Sequence, residues 1–563
     1  MPTCALAALR LSYQSMKLGF LIAFLGTALS LFGAPINIGS PRVEHSVDPV
    51  GVSTNPRFSW HLVSEENGKR QLAYEIIAAS QKDLLNEEKA DLWKSGKVKS
   101  SNRQLIEWGG KKLKNDQLVF WKVRVTDESQ KTGDWSETSQ FKVGGQRKLG
   151  LPQRTSGFES NSQRLNEIYQ DSILLLQPRI EAFSKGNHQA LGNGASLQRT
   201  AREFLYHFDA TSHLTHWLKM MDLTRTKEGF FPVQPHAPHY GSVSSDAAIT
   251  THLPLWWMGG DDDFVKQRWE VFESYFIARE QNDPTFKGLK WGQFPEEELS
   301  PQFLDLTSMG YTSRIIRELA GPAQQPLNVI RFKDYSARIR ESFQKQYLNE
   351  KKALIKPSQT AQLLALRCGV LPENKAGQKI PEYQNTIIEH LIASLHKDGP
   401  QVGSMGAYFL LQVLPLIGDQ DHLVKMILSL NDEQLKVFIG AGISEWMMSQ
   451  LVGIDAGAPG FKLVQIAPRI PNIDSLQWVK GHYDSPSGRV SVNWQQTKEG
   501  HLDFEVTIPP GVLSRIQLPC KKDQEVTESG KIISEVAGIE LTGKSDTHVN
   551  LVTQSGRYRF QIR

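Results

Sequence analysis

Apolar and polar residues alternate along the first part of the chain after the N-terminus, and this pattern predicts short β-strands. Between residues 40 and 145 the segments are rich in aromatic and β-branched residues, as in FSW, LAYEIIAAS, DLWKSGKV and VFWKVRVTD. Polar or Gly-containing turns separate them, with a spacing typical of a fibronectin- or immunoglobulin-like sandwich. After about residue 460 the strand pattern returns and continues to the end of the chain.

From about residue 158 to residue 452 the apolar period changes from two to 3.6, which predicts helices. One example is the face shared by Leu165, Ile168, Tyr169 and Leu176. Roughly twelve such segments follow one another, the number needed for six helical hairpins that close into a toroid. An irregular helical array is the alternative.

The N-terminus has the pattern of an export signal. Lys17 precedes the apolar run GFLIAFLGTALSLFGA, which ends in small residues. This predicts a cleaved signal peptide over residues 1–34, with Met16 as the true start, and therefore an exported protein without a stable membrane anchor. A retained anchor helix is the alternative.

The composition limits the classes of partner that the chain is expected to bind. Hydrophobic residues make up 39% and charged residues 22% of the chain, as in a soluble protein with a core, and a net charge of +4 gives no case for nucleic acid. The three cysteines, Cys4, Cys368 and Cys520, have no metal-binding spacing. The sequence therefore predicts no metal site.

Several segments resemble the bacterial α-L-rhamnosidases in family order. They are NPRFSW, QLAYEIIAAS, DLWKSGKV and FWKVRVTD, then GFESNSQRLNEIY, SQTAQLLALRCGVLPE and GAGISEWMMSQLVGID, then PGFKLVQIAPRI and HLDFEVTIPPGVLSRIQLP. The resemblance implies a fibronectin-like β-sandwich over 40–145, an (α/α)6 six-hairpin domain over 155–458 and a C-terminal β-sandwich over 459–563.

The same resemblance implies inverting hydrolysis of a terminal α-L-rhamnosyl group. That reaction needs a carboxylic acid and a carboxylate base about 6.5–9.5 Å apart, and no cofactor. The expected partner is a carbohydrate containing rhamnose.

The family's catalytic carboxylates are missing from their usual places. Alignment on Arg199-Thr200-Ala201 puts Asn193 where the family has an aspartate, and 185–190 contains no carboxylate. An amide cannot deliver a proton as a carboxylic acid does. The connection around LSLNDEQLKVFIGAGISEW is too short to hold the family's base, and Gln293 stands at a third acidic position.

Three other carboxylates are the candidates for catalysis. Asp246 matches the family's Gly-Asp-Ala-Ala position, although a helix N-cap would explain it as well. Glu445 matches a Gly-Glu-Trp position, as a buried polar partner or a ligand for a sugar hydroxyl. Glu296 begins an acidic run after Pro295, which is either a displaced acid or a solvated first helical turn.

Polar and aromatic side chains around these positions suit a sugar ligand. The candidate binding residues are Asn193, His236, His239, Tyr240, Trp256 and Trp291. The His-x-x-His spacing on a loop is too loose to indicate zinc.

Three functions follow from the sequence. The first is a divergent α-L-rhamnosidase-like glycoside hydrolase, and the alternative is a carbohydrate-binding protein that has lost catalysis. A weaker alternative is a polysaccharide lyase, with Tyr240 and His236 or His239 as its base and acid.

Overall fold

The computed structural model describes residues 36–290, 299–351, 353–371, 382–497 and 500–563. The expected signal peptide lies outside these residues. Within them, no helix is both long enough and apolar enough to cross a membrane.

The first β-rich part consists of two packed sheets. Its strands are β1 Asn37–Val43, β2 Val50–Val52, β3 Arg57–Val63, β4 Gln71–Ala79, β5 Trp93–Lys94, β6 Val98–Lys99, β7 Ile106–Glu107, β8 Leu118–Asp127 and β9 Ser139–Val143. One sheet has the order β1-β3-β7 and the other β2-β9-β8-β4-β5, with β6 also pairing with β4. Alternate residues of β3 and β8 point inward, so that Trp60 and Trp121 are fully buried in this core.

The central part is helical. Its helices are α1 Gln163–Ser184, α2 Gly194–His207, α3 Thr211–Leu223, α4 Ala247–Thr250, α5 His252–Gly259, α6 Asp262–Asn282, α7 Pro301–Leu319, α8 Asn328–Tyr347, α9 Gln359–Arg367, α10 Glu382–Asp398, α11 Ser404–Ile417, α12 Gln420–Ser429, α13 Asp432–Ile439 and α14 Ile443–Trp446. A π-helical segment, Met447–Val452, continues α14.

Six helical segments form a closed inner ring. In turn α2, the α4–α5 pair, α7, α9, α11 and α14 contact one another, and α14 contacts α2 again. Helices such as α8 and α10 pack outside this ring, against α7 and α9 respectively. The ring confirms the toroid and excludes the irregular array.

The second β-rich part packs against helices of the ring, as β11 does against α5. Its strands are β10 Ser156–Ser160, β11 Ile454–Ala458, β12 Leu463–Ile466, β13 Trp478–Ser485, β14 Gly488–Gln496, β15 Leu502–Ile508, β16 Leu513–Pro519, β17 Val526–Glu528, β18 Lys531–Ile532, β19 Ile539–Lys544, β20 His548–Thr553 and β21 Gly556–Ile562. They form a seven-stranded sheet, β10-β13-β14-β15-β21-β17-β18, and a five-stranded sheet, β11-β12-β16-β20-β19.

At strand β10, the start of the helical domain differs from the expected one. Residues from 155 onward were expected in the helical domain, yet Ser156–Ser160 pairs antiparallel with β13. The segment has a period of two, with Ser156, Phe158 and Ser160 buried. It therefore joins the C-terminal sheet just before the first helix, which Ser162 caps.

Candidate functional site

Two loops meet at the N-terminal ends of α2 and α4, and we call this region, residues 185–193 and 231–246, the mouth. The Gly194 N–H donates to the Val233 carbonyl at 2.7 Å. A Cβ atom at Gly194 would lie 1.8 Å from the carbonyl oxygen of Ser244. The start of α2 can approach the second loop this closely only because the side chain is absent.

The side chain of Arg179 holds the first loop in place. The Arg179 guanidinium donates to the Leu191 carbonyl and, at 3.2 Å, to Ser196 Oγ. Asn193 caps α2, its Oδ1 accepting from the Ser196 N–H at 2.9 Å. Its side chain is exposed, so the amide nitrogen can still donate to a ligand.

Tyr240 presents an aromatic surface at the mouth. The residue is 45% exposed, whereas Phe230 behind it is 3% exposed. The two rings stack with centroids 5.1 Å apart and planes 14° apart. A ring held in this way can pack against the apolar face of a sugar without first losing much conformational freedom.

His236 and His239 are also exposed at the mouth. The His236 ring stacks on His188 of the first loop, with centroids 6.2 Å apart. The Val233 N–H donates to the His239 carbonyl at 3.0 Å. The structure therefore brings Asn193, His236, His239 and Tyr240 to one region, and their predicted role in binding a sugar stays a prediction.

Asp246 is fully buried and does not cap α4. Its carboxylate accepts hydrogen bonds from the Tyr275 hydroxyl and the Ser308 hydroxyl, and at 3.3 Å from the Val243 N–H. Both oxygens are thus occupied by internal donors. The carboxylate faces the protein rather than a ligand, and this geometry does not support the predicted catalytic role.

A second buried carboxylate shares a cation with Asp246. Arg279 Nη2 donates to Asp305 Oδ1 at 2.5 Å, and Arg279 Nη1 lies 3.9 Å from Asp246 Oδ1. Burial raises the pKa of Asp305, and Arg279 opposes that effect. No local pattern in the sequence indicates this network, since Asp305 is one of two acids in helix α7, which also contains Arg314, Arg317 and Glu318.

Glu445 lies deeper along the ring, away from the mouth. Arg202 donates to Glu445 at 2.8 Å and to Asp455 at 2.5 Å. Arg202 is nine residues beyond Asn193, which is about 13 Å along α2. Burial raises the pKa of Glu445, and Arg202 opposes that effect. Asp246 and Glu445 therefore belong to separate hydrogen-bonded networks.

Glu203, which no motif in the sequence indicates, is a further carboxyl group whose pKa the fold changes. Its Oε1 accepts from the Ser444 N–H at 3.1 Å and the Ser444 hydroxyl at 2.6 Å. Its Oε2 is buried and, among the described residues, has no hydrogen-bond partner. Burial, reinforced by the nearby Glu445, raises the pKa of Glu203 to about 8.

The remaining predicted residues do not complete the mouth. Trp256 lies in the last turns of α5, beyond the four-residue helix α4, and its Nε1 donates to Asp262 at 2.7 Å. The helix direction carries Trp256 away from the N-terminal end of α4, and its predicted role in binding stays a prediction. Trp291 and Glu296 lie outside the described residues. No group of three or more metal-binding side chains occurs in the part of the chain that the structure describes.

Family models match all three parts of the chain. Residues 38–146 match the Rha78A-like, N-terminal immunoglobulin domain, and residues 153–443 match the bacterial alpha-L-rhamnosidase 6 hairpin glycosidase domain. Residues 453–533 match the bacterial alpha-L-rhamnosidase C-terminal domain. The helical match alone extends over more than half of the chain.

Curated relatives match shorter segments. An alpha-L-rhamnosidase of Formosa agariphila is 42% identical over 98 residues, which is 17% of this chain and 10% of that protein. A second one from the same organism is 31% identical over 165 residues, 27% of this chain and 18% of that protein. The matched segments are thus less than a fifth of the length of these relatives.

Solved structures match almost the whole fold. The alpha-L-rhamnosidase of Dictyoglumus thermophilum is similar with a TM-score of 0.79 and 13% identity, over 93% of this chain and 99% of that one. The Streptomyces avermitilis enzyme, solved with L-rhamnose, has a TM-score of 0.79 and 12% identity, over 94% and 100%. At these identities the likeness shows the fold.

Proposed function

The chain belongs to the bacterial α-L-rhamnosidase family, and from that premise we propose that it binds terminal α-L-rhamnosyl groups of glycosides or polysaccharides at the mouth. The observation that carries this proposal is that the exposed Tyr240 ring stacks on the buried Phe230 ring. A methylpentose offers an apolar face to such a ring. Asn193, His236 and His239 surround it with groups that can bind hydroxyls.

Binding without hydrolysis is the function that the described geometry supports best. An inverting glycosidase needs two carboxyl groups that reach opposite sides of the sugar. Asp246 is saturated by internal donors, and Glu445 is bound to Arg202 away from the mouth. Both carboxylates are thus engaged by partners within the protein, which does not support a role as the acid or the base.

Hydrolysis by a displaced acid is the second candidate, and one observation favours it. The Leu289 N–H donates to Asp305 at 2.8 Å. This hydrogen bond holds the chain next to Arg279 and Asp246 just before the segment that contains Glu296. Glu296 would then be the acid. Its position lies outside the described residues.

Binding is tested by titrating the purified protein with L-rhamnose and an aryl α-L-rhamnoside in a calorimeter. We expect Tyr240→Ala to weaken binding about tenfold or more, since the stacking surface is lost. Tyr240→Phe keeps the ring and is the matched control, with affinity close to that of the parent. Equal affinities for Tyr240→Ala and the parent would contradict the proposal.

The same aryl glycoside separates the two candidates. Release of the aryl alcohol should be absent from about pH 4 to pH 8 if the protein only binds sugar. Turnover that disappears in Glu296→Gln would establish the second candidate instead.

We also propose that the protein is exported. The apolar run after Lys17 and its small-residue end support a cleaved leader. Sequencing the N-terminus of protein recovered from outside the cytoplasm tests this, and an uncleaved N-terminus in the cytoplasmic fraction would contradict it.

A further inference from the structure

A cleft of about 650 Å³ separates the N-terminal sandwich from the outer helices α3 and α6. It adjoins the mouth, because the ring centroid of His216 on its wall lies 5.9 Å from that of His188 in the first loop. Its walls come from β-sandwich residues such as Arg57 and Arg147, from the exposed face of α3 and from the first turn of α6. Its size is that of a small-molecule site.

Four acids line the cleft, Glu44, Glu107, Asp261 and Asp263, and three of them form salt bridges with Arg57 or Lys266. Arg57 pairs with Glu44 at 2.8 Å and with Asp261 at 2.7 Å. Lys266 pairs with Asp263 at 3.3 Å. These pairs hold Glu44, Asp261 and Asp263 to Arg57 and Lys266, and none of the three forms a salt bridge with Arg147 or Lys219 in the described part of the chain.

Three further basic side chains line the cleft, and we call Arg147, His216 and Lys219 the basic cluster. Arg147 donates only to uncharged acceptors, the Glu44 carbonyl and Ser46 Oγ, both at 3.3 Å. Within the described residues, no salt bridge joins any member of the cluster to an acid. Lys219 Nζ instead lies 5.7 Å from the centre of the Phe264 ring.

The members of the cluster act on one another. The walls of the cleft lower the pKa of Lys219, and the charge of Arg147 lowers it further, against the opposing charge of Glu44. Burial lowers the pKa of His216, and His188, Arg147 and Lys219 add to that effect. The acids that act on Lys219 are Glu44 and Asp261, both already bonded to Arg57. Neither of these two acids therefore forms a salt bridge with the basic cluster.

We infer that this cleft binds an anionic sugar unit, with the oxyanion against Arg147 and Lys219. A guanidinium presents a planar pair of donors to an oxyanion, and an ammonium adds a point charge. The sugar nature of the ligand rests on the proposed function, whereas the oxyanion rests on the cleft itself. A uronic acid carboxylate and a sugar sulfate ester share this chemistry.

The test is calorimetric titration of the full chain with D-glucuronate, D-glucose 6-sulfate and D-glucose. We expect saturable binding of at least one anionic sugar, weaker binding at high salt and no binding of D-glucose. The anionic sugar that binds identifies the source of the oxyanion. Lys219→Gln and Arg147→Gln should each weaken binding roughly tenfold. Lys436→Gln, an exposed lysine paired with Glu433 on α13, removes the same charge elsewhere and should leave the affinity unchanged.

Melting temperatures equal to that of the parent show that the variants are folded. Absence of binding by both anionic sugars would overturn the inference, as would equal affinity in Lys219→Gln and the parent. Inorganic sulfate that competes as well as the sugars would also overturn it, because the site would then recognise a simple anion. L-Rhamnose binding that depends on Tyr240 is read out separately, so failure of the proposed function and failure of this site are distinguishable.

Discussion

Asp246 and Glu203 are two carboxyl groups that the fold removes from water in different ways. Asp246 receives donors on both oxygens, so its charge is stabilised within the protein. Glu203 receives donors on one oxygen only, and its other oxygen is buried without a partner among the described residues. Burial of a half-satisfied carboxylate favours its protonated form.

Glu203→Gln should change how stability depends on pH. Because the pKa of Glu203 is about 8 in the folded protein, the folded state holds a proton that the unfolded state releases near its ordinary pKa. Stability therefore falls as pH rises from about 4.5 to about 8. The glutamine cannot ionise, so we expect the variant to be more stable at pH 9 by on the order of 3–5 kcal/mol and nearly unchanged at pH 5.

Thermal unfolding of both proteins at these two pH values measures the effect. Burial lowers the pKa of His207, which shares the Ser444 hydroxyl with Glu203, to about 3, so this ring is neutral in the folded parent at both pH values. Glu159→Gln changes an exposed carboxyl and should leave the profile unaltered. A variant whose profile runs parallel to that of the parent would contradict the interpretation of Glu203.

At the scale of elements, the start of α2 decides the shape of the mouth. Asn193 ends the first loop and caps the helix, and Gly194 then lets the helix contact Ser244 of the second loop. The pair α4–α5 runs from the mouth toward α6 and places Trp256 beside Asp262. Helix direction thus separates residues that the sequence had grouped as one binding site.

Gly194→Ala should destabilise the protein and weaken binding at the mouth. The added Cβ would overlap the Ser244 carbonyl, so one loop must move. We expect a loss of about 2–4 kcal/mol in the free energy of unfolding, with weaker L-rhamnose binding.

Chemical denaturation and calorimetry measure the two effects. Gly321→Ala is the matched control, because its nearest neighbour would be the Glu318 carbonyl at 3.7 Å. Unchanged stability of Gly194→Ala would show that the two loops are not held against each other.

At the scale of the whole molecule, charged contacts fasten the N-terminal sandwich to the toroid. Arg57 of β3 donates to Glu44 of the same sandwich and to Asp261 at the start of α6. Burial alone would raise the pKa of Asp261, but the nearby His45 ring and the hydrogen bonds from Arg57 lower it. The contribution of Asp261 to stability is therefore present above its ordinary pKa and lost as pH falls through its folded pKa.

Arg57→Met should loosen this interface. The substitution leaves two carboxylates partly buried without their cation, which we expect to cost about 3–5 kcal/mol. Calorimetry should show the sandwich unfolding at a lower temperature than the rest. Arg489→Met removes a 59% exposed partner of Asp484 within the C-terminal sandwich and should cost less than about 1 kcal/mol. A similar effect of both substitutions would contradict a fastening role for Arg57.

The sequence by itself determined the order of the three parts of the chain. Periods of two and 3.6 residues identify strands and helices because burial repeats with the geometry of each element. Family motifs placed Asn193, His236, His239 and Tyr240 near one another, and the structure brings these four residues to one region. The lack of a carboxylate in 185–190 was also evident from the residues alone.

Only the tertiary structure decided what the carboxylates do. Whether Asp246 faces a ligand or Tyr275 depends on helix α6, which lies far along the chain, and no local pattern encodes that contact. The same holds for Glu203 and Ser444, and for the cleft between Arg147 and Lys219. A pKa depends on the burial and charges that distant elements bring to a group, so its shift arises only when the chain has packed.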